Sequence, residues 1–246
     1  MTGATQARGT VPASHATGGP APQVVLHQFE ISPFCAKVRK ILRAKGVAYR
    51  VENYHGLRAW QIRRLTPAGQ LPVLDWDDER VHDSTAIAAF LEQRRPTPRL
   101  FPSDSRLAAT ARLLADWADG SLHAYEVYLR VEYAQARERA MALLCTGRPA
   151  WELSVFAPIA TRRMRAQVDA WGLTRRDAAA IEAAFLRRMD DLDATLAGRA
   201  WLVGEQLSIA DIAVSAQLDE IVRTSTLADR LLLRPQLARW LAQLAP

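Results

Sequence analysis

The sequence predicts an α/β domain followed by an all-α one. Three observations carry this. Strand-like and helix-like runs alternate up to about residue 95. Three prolines between Pro96 and Pro102 then forbid a continuing helix. Beyond them almost every segment repeats its apolar residues at helical spacing. The resulting division is a tail over 1–22, an α/β domain over 23–95, a linker over 96–103 and a helical domain over 104–246.

The first 22 residues are rich in Thr, Gly, Ala, Pro and Ser. Such a segment buries too little apolar surface to offset its ordering entropy, which predicts a disordered N-terminal tail. It lacks the apolar core of a signal peptide, and Arg8 is its only positive charge, which disfavours a transit peptide.

Gln23 to Phe29 is a short β-rich run, the first strand. Ser32 suits an N-cap and Pro33 the first helical position, where a missing N–H costs nothing. Phe34, Val38, Ile41 and Leu42 then share a helix face, which Gly46 terminates. Val47 to Val51 alternates as a second strand, and a weaker helix spans about 59–65. Leu71 to Asp75 and Arg80 to His82 flank the acidic turn Asp77-Asp78-Glu79 as a hairpin. Asp83 or Ser84 caps the next helix. The order β-α-β-α-β-β-α makes a mixed sheet with helices on its faces. Further helices are predicted near 104–138, 152–171, 176–197, 208–224 and 234–244.

Of the 32 basic residues, 29 are arginines, scattered among acidic residues along helical segments rather than gathered in a stripe with stacking aromatics. The net charge of +6 therefore predicts no nucleic-acid partner. No apolar run approaches the ~20 residues that span a bilayer. Cys35 and Cys145 are too few for a disulfide framework, which points to a reducing, cytoplasmic setting. No metal-ligating pattern stands out.

Four local features fall in order. Ser32-Pro33-Phe34-Cys35 joins a strand to a helix whose N-terminus offers free N–H groups and a partial positive charge, a setting that favours a thiolate. Ser32 either only caps that helix or donates to such a sulfur. Gln70-Leu71-Pro72 begins a strand. A cis bond before Pro72 would leave the Leu71 main chain free to pair with an extended peptide. Asp83-Ser84, at a helix start, can cap it or hold an amino-acid-like ligand. Ser208 and Asp211 form a capping box flanked by Leu207 and Ile212 as a hydrophobic staple, a structural device.

Together these runs, with Ala36-Lys37-Val38-Arg39 and Val73-Leu74, resemble the cytosolic glutathione transferase superfamily over about residues 23–246. The resemblance implies a thioredoxin-like N-terminal domain with a four-stranded sheet, an all-helical C-terminal domain and a homodimer. It implies a cis Leu71-Pro72 bond, glutathione held by Gln70, Leu71, Pro72, Asp83 and Ser84, and an acceptor pocket beside the first C-terminal helix. Trp117, Tyr125 and Tyr128 on that helix are candidates for the pocket's lining, although aromatics at such positions more often belong to a core. Asp83 replaces the usual Glu, one methylene shorter, and Gln70 stands where Lys is frequent. No tyrosine lies in the first strand or its turn, which leaves a serine-type or cysteine-type site.

The implied activity is glutathione transfer, with bound glutathione as cosubstrate attacking a small hydrophobic electrophile in a detoxification role. Ser32 would stabilise the thiolate. Two alternatives stand beside it. Cys35 could run thiol–disulfide chemistry, since Ser32-Pro33-Phe34-Cys35 also resembles a glutaredoxin Cys-x-x-Cys lacking its first thiol, or Cys35 could point into the core. The chain could also be a noncatalytic interaction module of the same fold.

Overall fold

The first strand, β1 (Val24–Gln28), is buried at every position, as a strand covered on both faces must be. In this computed structural model, which describes residues 23–245, β1 runs parallel to β2 (Arg50–Asn53) and antiparallel to β3 (Val73–Trp76). β4 (Glu79–His82) pairs with β3 and closes a four-stranded mixed sheet of order β2-β1-β3-β4. The tail expected over 1–22 lies outside the described residues.

α1 (Pro33–Ala44) and α2 (Ser84–Arg94) join Leu26, Leu74 and Trp76 in the main core through Val38, Ile41, Leu42, Ile87 and Leu91. A 3-10 helix (Gly56–Arg64) contributes Ile62 to a smaller core with Tyr54, Leu71 and Val73.

The predicted second strand begins three residues late. Gly46, at φ 62°, donates to the Arg43 carbonyl, and Val47 donates to that of Leu42. This paired bond set is the Schellman ending of α1, and it removes Val47 from the strand. The hairpin turn is also shorter than expected. Trp76 pairs with Glu79 across Asp77-Asp78, and Asp77 takes the positive φ of 52° that such a tight turn demands.

The C-terminal domain is helical: α3 (Ser105–Trp117), α4 (His123–Glu132), α5 (Ala134–Leu144), α6 (Ala150–Ala170), α7 (Ala178–Thr195), α8 (Ile209–Thr224), α9 (Ala228–Leu232) and α10 (Pro235–Gln243). The single helix expected over 104–138 is three. A π-helical turn over Ala118–Leu122 separates α3 from α4. Extended backbone at Tyr133, whose hydroxyl donates to Glu182 at 2.5 Å, ends α4. α9 has no counterpart in the predicted map. The capping box is present: the Asp211 carboxylate accepts from the Ser208 amide at 3.0 Å, the Leu202 amide at 2.8 Å and Trp240 Nε1 at 3.0 Å.

Charged groups tie the two domains. Lys37 Nζ donates to Asp119 at 2.6 Å, and Lys40 Nζ donates to the Leu244 carbonyl at 2.6 Å and lies 2.8 Å from Asp219. No helix among the described residues is long and apolar enough to cross a membrane.

Candidate functional site

The chain between β1 and α1 is a tight turn in which Ser32 takes extended backbone angles and caps α1. Its Oγ accepts from the Cys35 amide at 3.4 Å, a long and weak contact that leaves the hydroxyl free to donate elsewhere. Pro33 stands at the first helical position. Ser32, Pro33 and Phe34 line one end of a cleft of about 850 Å³ between the two domains.

Gln70, Leu71 and Pro72 line the same cleft. The Leu71-Pro72 bond is cis. The Leu71 side chain sits in the smaller core, while its amide and carbonyl make no main-chain hydrogen bond among the described residues. An edge of this kind can pair with an extended ligand.

Asp83 and Ser84 reach the cleft at the start of α2. Asp83 Oδ1 accepts from the Thr85 and Ala86 amides at 2.9 and 3.0 Å, which is N-capping. Asp83 also holds a φ of 74°, a conformation non-glycine residues adopt at a cost of about 1–3 kcal/mol and that gathers at ligand sites. Its second carboxylate oxygen has no described partner.

Cys35 stands apart. Its side chain is 0% exposed, packed with Tyr54, Ile62, Leu71 and Val73, and does not line the cleft. Burial pushes its thiol up to about 11, outweighing the Ser32 hydrogen bond that favours the anion. Lys37 cannot counter this, because its ammonium is engaged by Asp119 and by Thr85 at 3.2 Å. The Cys35 reading thus meets a physical obstacle: at this helix position the side chain faces the sheet. Tyr125 and Tyr128 lie in the main core with Trp117 packed against it, and none of the three lines the cleft, so they belong to the core rather than to the pocket.

The far wall carries residues the sequence reading passed over. His123, Glu126, Val127 and Arg130 line the cleft from α4, and Phe156, Ile159, Arg163 and Met164 line it from α6, with Trp171 just beyond. The signal for the first group was present, since positions 123, 126, 127 and 130 share one helix face. Reading 104–138 as one unbroken helix hid it. The π-helical turn resets the phase and aims this face at the cleft.

Beneath the Ser32 turn lies a buried charge network. Arg130 Nε stands 2.5 Å from Glu126 Oε1, and Arg130 Nη2 donates to the Ile31 carbonyl at 2.9 Å. Glu220, on α8, lies 3.6 Å from Arg130 and 3.7 Å from Arg39. Burial pushes the Glu220 carboxyl up to about 7 against the pull of Arg130 and Arg223. Among the described residues no group of three or more His, Cys, Asp or Glu side chains could hold a metal ion.

Residues 26–99 match the family model described as glutathione S-transferase, N-terminal domain, and residues 174–245 match glutathione S-transferase, C-terminal domain. Maleylacetoacetate isomerase of Rattus norvegicus is 31% identical over 98 residues, 37% of this chain and 45% of that protein. The chain thus spans about half the length of that relative. The crystal structure of the β-etherase LigF from Sphingobium superposes with a TM-score of 0.66 at 20% identity, covering 90% of this chain and 94% of that one. A glutathione S-transferase from Methylobacillus flagellatus, solved with glutathione bound, superposes with a TM-score of 0.59 at 25% identity, covering 90% and 94%.

Proposed function

The chain belongs to the glutathione S-transferase superfamily, and from that premise we propose that it binds glutathione in the interdomain cleft and activates its thiol for attack on a small hydrophobic electrophile. One observation carries the reading. Ser32, Gln70-Leu71-Pro72 and Asp83-Ser84, from three separate segments, converge on a single cleft.

Each contributes through its own chemistry. The Leu71 main chain is the edge on which a γ-glutamyl tripeptide would lie extended. The Asp83 carboxylate would take the ligand's ammonium, and Ser84 at the first turn of α2 its carboxylate. Ser32 Oγ would donate to the sulfur, and the N-terminus of α1 adds its partial positive charge. Both favour the thiolate over the thiol, which otherwise has a pKa near 8.5. Bound glutathione is then the nucleophile, with no covalent enzyme intermediate.

The buried Cys35 weighs against thiol–disulfide exchange, because a protonated thiol out of contact with the cleft cannot attack a disulfide. The apolar wall of Phe156, Ile159 and Met164 suits a small hydrophobic acceptor. A cytoplasmic homodimer acting in detoxification completes the proposal. Isothermal calorimetry with glutathione tests it: binding supports the transferase reading, and no heat of binding removes it in favour of an interaction module.

A further inference from the structure

Glu220 lies near the end of α8, 2% exposed, and its carboxylate does not line the cleft. Three guanidiniums nevertheless converge on it. Arg130 Nη2 of α4 lies 3.6 Å away, Arg39 Nη2 of α1 3.7 Å and Arg223 Nη1 of α8 itself 3.8 Å. These separations are too long for hydrogen bonds, so the attraction is between whole charges, and burial leaves it weakly screened. Each cation is also fixed to the turn that carries Ser32. Arg39 Nη2 donates to the Glu30 carbonyl at 3.0 Å, while its Nη1 donates to Gln28 Oε1 at 2.6 Å at the end of β1. Arg130 Nη2 donates to the Ile31 carbonyl at 2.9 Å, and Arg223 Nη2 donates to the Glu30 carboxylate. In Arg39 and Arg130, then, one and the same nitrogen faces Glu220 and holds a carbonyl of the turn. Three like charges gathered around two residues repel one another unless an anion sits among them. Glu126 offsets Arg130 and Glu30 offsets Arg223, but only Glu220 lies within 4 Å of all three among the described residues.

Resting on the transferase reading, we propose that Glu220 is a positioning residue: through Arg39, Arg130 and Arg223 it holds the Glu30-Ile31 main chain so that the Ser32 hydroxyl stays aligned with the sulfur of bound glutathione. Glu220 touches no reacting atom and acts only through the turn. A hydrogen bond weakens steeply as its angle departs from linear, so a turn free to shift loses thiolate stabilisation first. Binding suffers less, because Gln70-Leu71-Pro72 and Asp83-Ser84 lie on other segments and keep their hold on the tripeptide.

The test is a double-mutant cycle on the thiol pKa of bound glutathione, read from thiolate absorbance in wild type, Glu220→Gln, Ser32→Ala and the double variant. Charge alone predicts a lower pKa in Glu220→Gln, because removing a nearby anion favours the thiolate. Lost positioning predicts the reverse, a rise of about half a unit, as a misaligned hydrogen bond keeps only part of its strength. The glutathione Kd should change less than about 3-fold. Added to Ser32→Ala, Glu220→Gln should raise the pKa no further, since the two act through one hydroxyl. A fall or no change in Glu220→Gln, or an equal rise in the Ser32→Ala background, overturns the inference and leaves the transferase reading standing. If Glu220→Gln does not fold, Arg223→Gln takes its place, at a partly exposed side chain. Its rise should vanish in the Ser32→Ala background, and a rise that persists there overturns the inference as well. A Ser32→Ala protein that titrates with wild type removes the serine reading and this inference with it.

Discussion

Arg130 Nη2 donates to the Ile31 carbonyl at 2.9 Å, so a residue of the helical domain holds the turn that presents Ser32 from the sheet domain. The same guanidinium neutralises two buried carboxylates, Glu126 and Glu220. Arg130→Met strips Glu126 of its close cation and leaves Glu220 only the more distant Arg39 and Arg223, at 3.7 and 3.8 Å, and removing one partner of a buried pair costs about 3–5 kcal/mol. Arg130→Lys keeps the charge but not the planar fork, and should lose less stability. Urea unfolding of the two variants checks the order.

Asp83 combines a structural and a proposed binding role that one substitution separates. Asn caps helices about as well as Asp, so Asp83→Asn should leave the urea midpoint nearly unchanged. Loss of the charge should raise the glutathione Kd about 10-fold, the value of a charge-assisted hydrogen bond. An unchanged Kd by calorimetry would confine Asp83 to capping.

Cys35 should be inert. With its thiol pushed up to about 11, the thiolate is about 0.1% of the population at pH 8, and the surrounding core excludes reagents. Iodoacetamide should label it in the folded protein far more slowly than in urea, with a rate still climbing above neutral pH. Cys35→Ser should retain transferase turnover. Rapid labelling of the native protein would return Cys35 to the mechanism.

The fold was legible in the sequence wherever local chemistry determines structure. Ser32-Pro33 and Gly46 bounded α1, the acidic turn marked the hairpin, and Ser208 with Asp211 marked the start of α8. The sequence was silent where tertiary packing decides. Nothing in the spacing of 104–138 announces the π-helical turn or the extended Tyr133, which is tied to a glutamate 49 residues on. For the same reason Ser32, Gln70-Leu71-Pro72 and Asp83-Ser84, each a short motif, stood out as candidates, and they line one cleft. The opposite wall of the cleft did not stand out, because Phe156, Ile159 and Met164 read as part of an ordinary helix. Whether Cys35 faced the cleft or the core depended on how α1 sits on the sheet.

Asp211 is the single acceptor for the Leu202 amide, the Ser208 amide and Trp240 Nε1. Asp211→Ala leaves these three buried donors unpaired, and with them the Ser208 hydroxyl that donates to Asp211 at 2.7 Å, at about 1–3 kcal/mol each in isolation and less than additive together. A loss of at least ~3 kcal/mol in urea unfolding is expected, without effect on glutathione affinity at temperatures where the variant remains folded.

The central claim is that the Ser32 hydroxyl stabilises glutathione's thiolate. The direct measurement is the ultraviolet absorbance of thiolate in the enzyme–glutathione complex, titrated with pH in wild type and in Ser32→Ala. Wild type should titrate below the ~8.5 of a free thiol, and the variant should rise by one unit or more, since one unit corresponds to about 1.4 kcal/mol, near the strength of one such hydrogen bond. Coincident titrations in the two proteins would contradict the account.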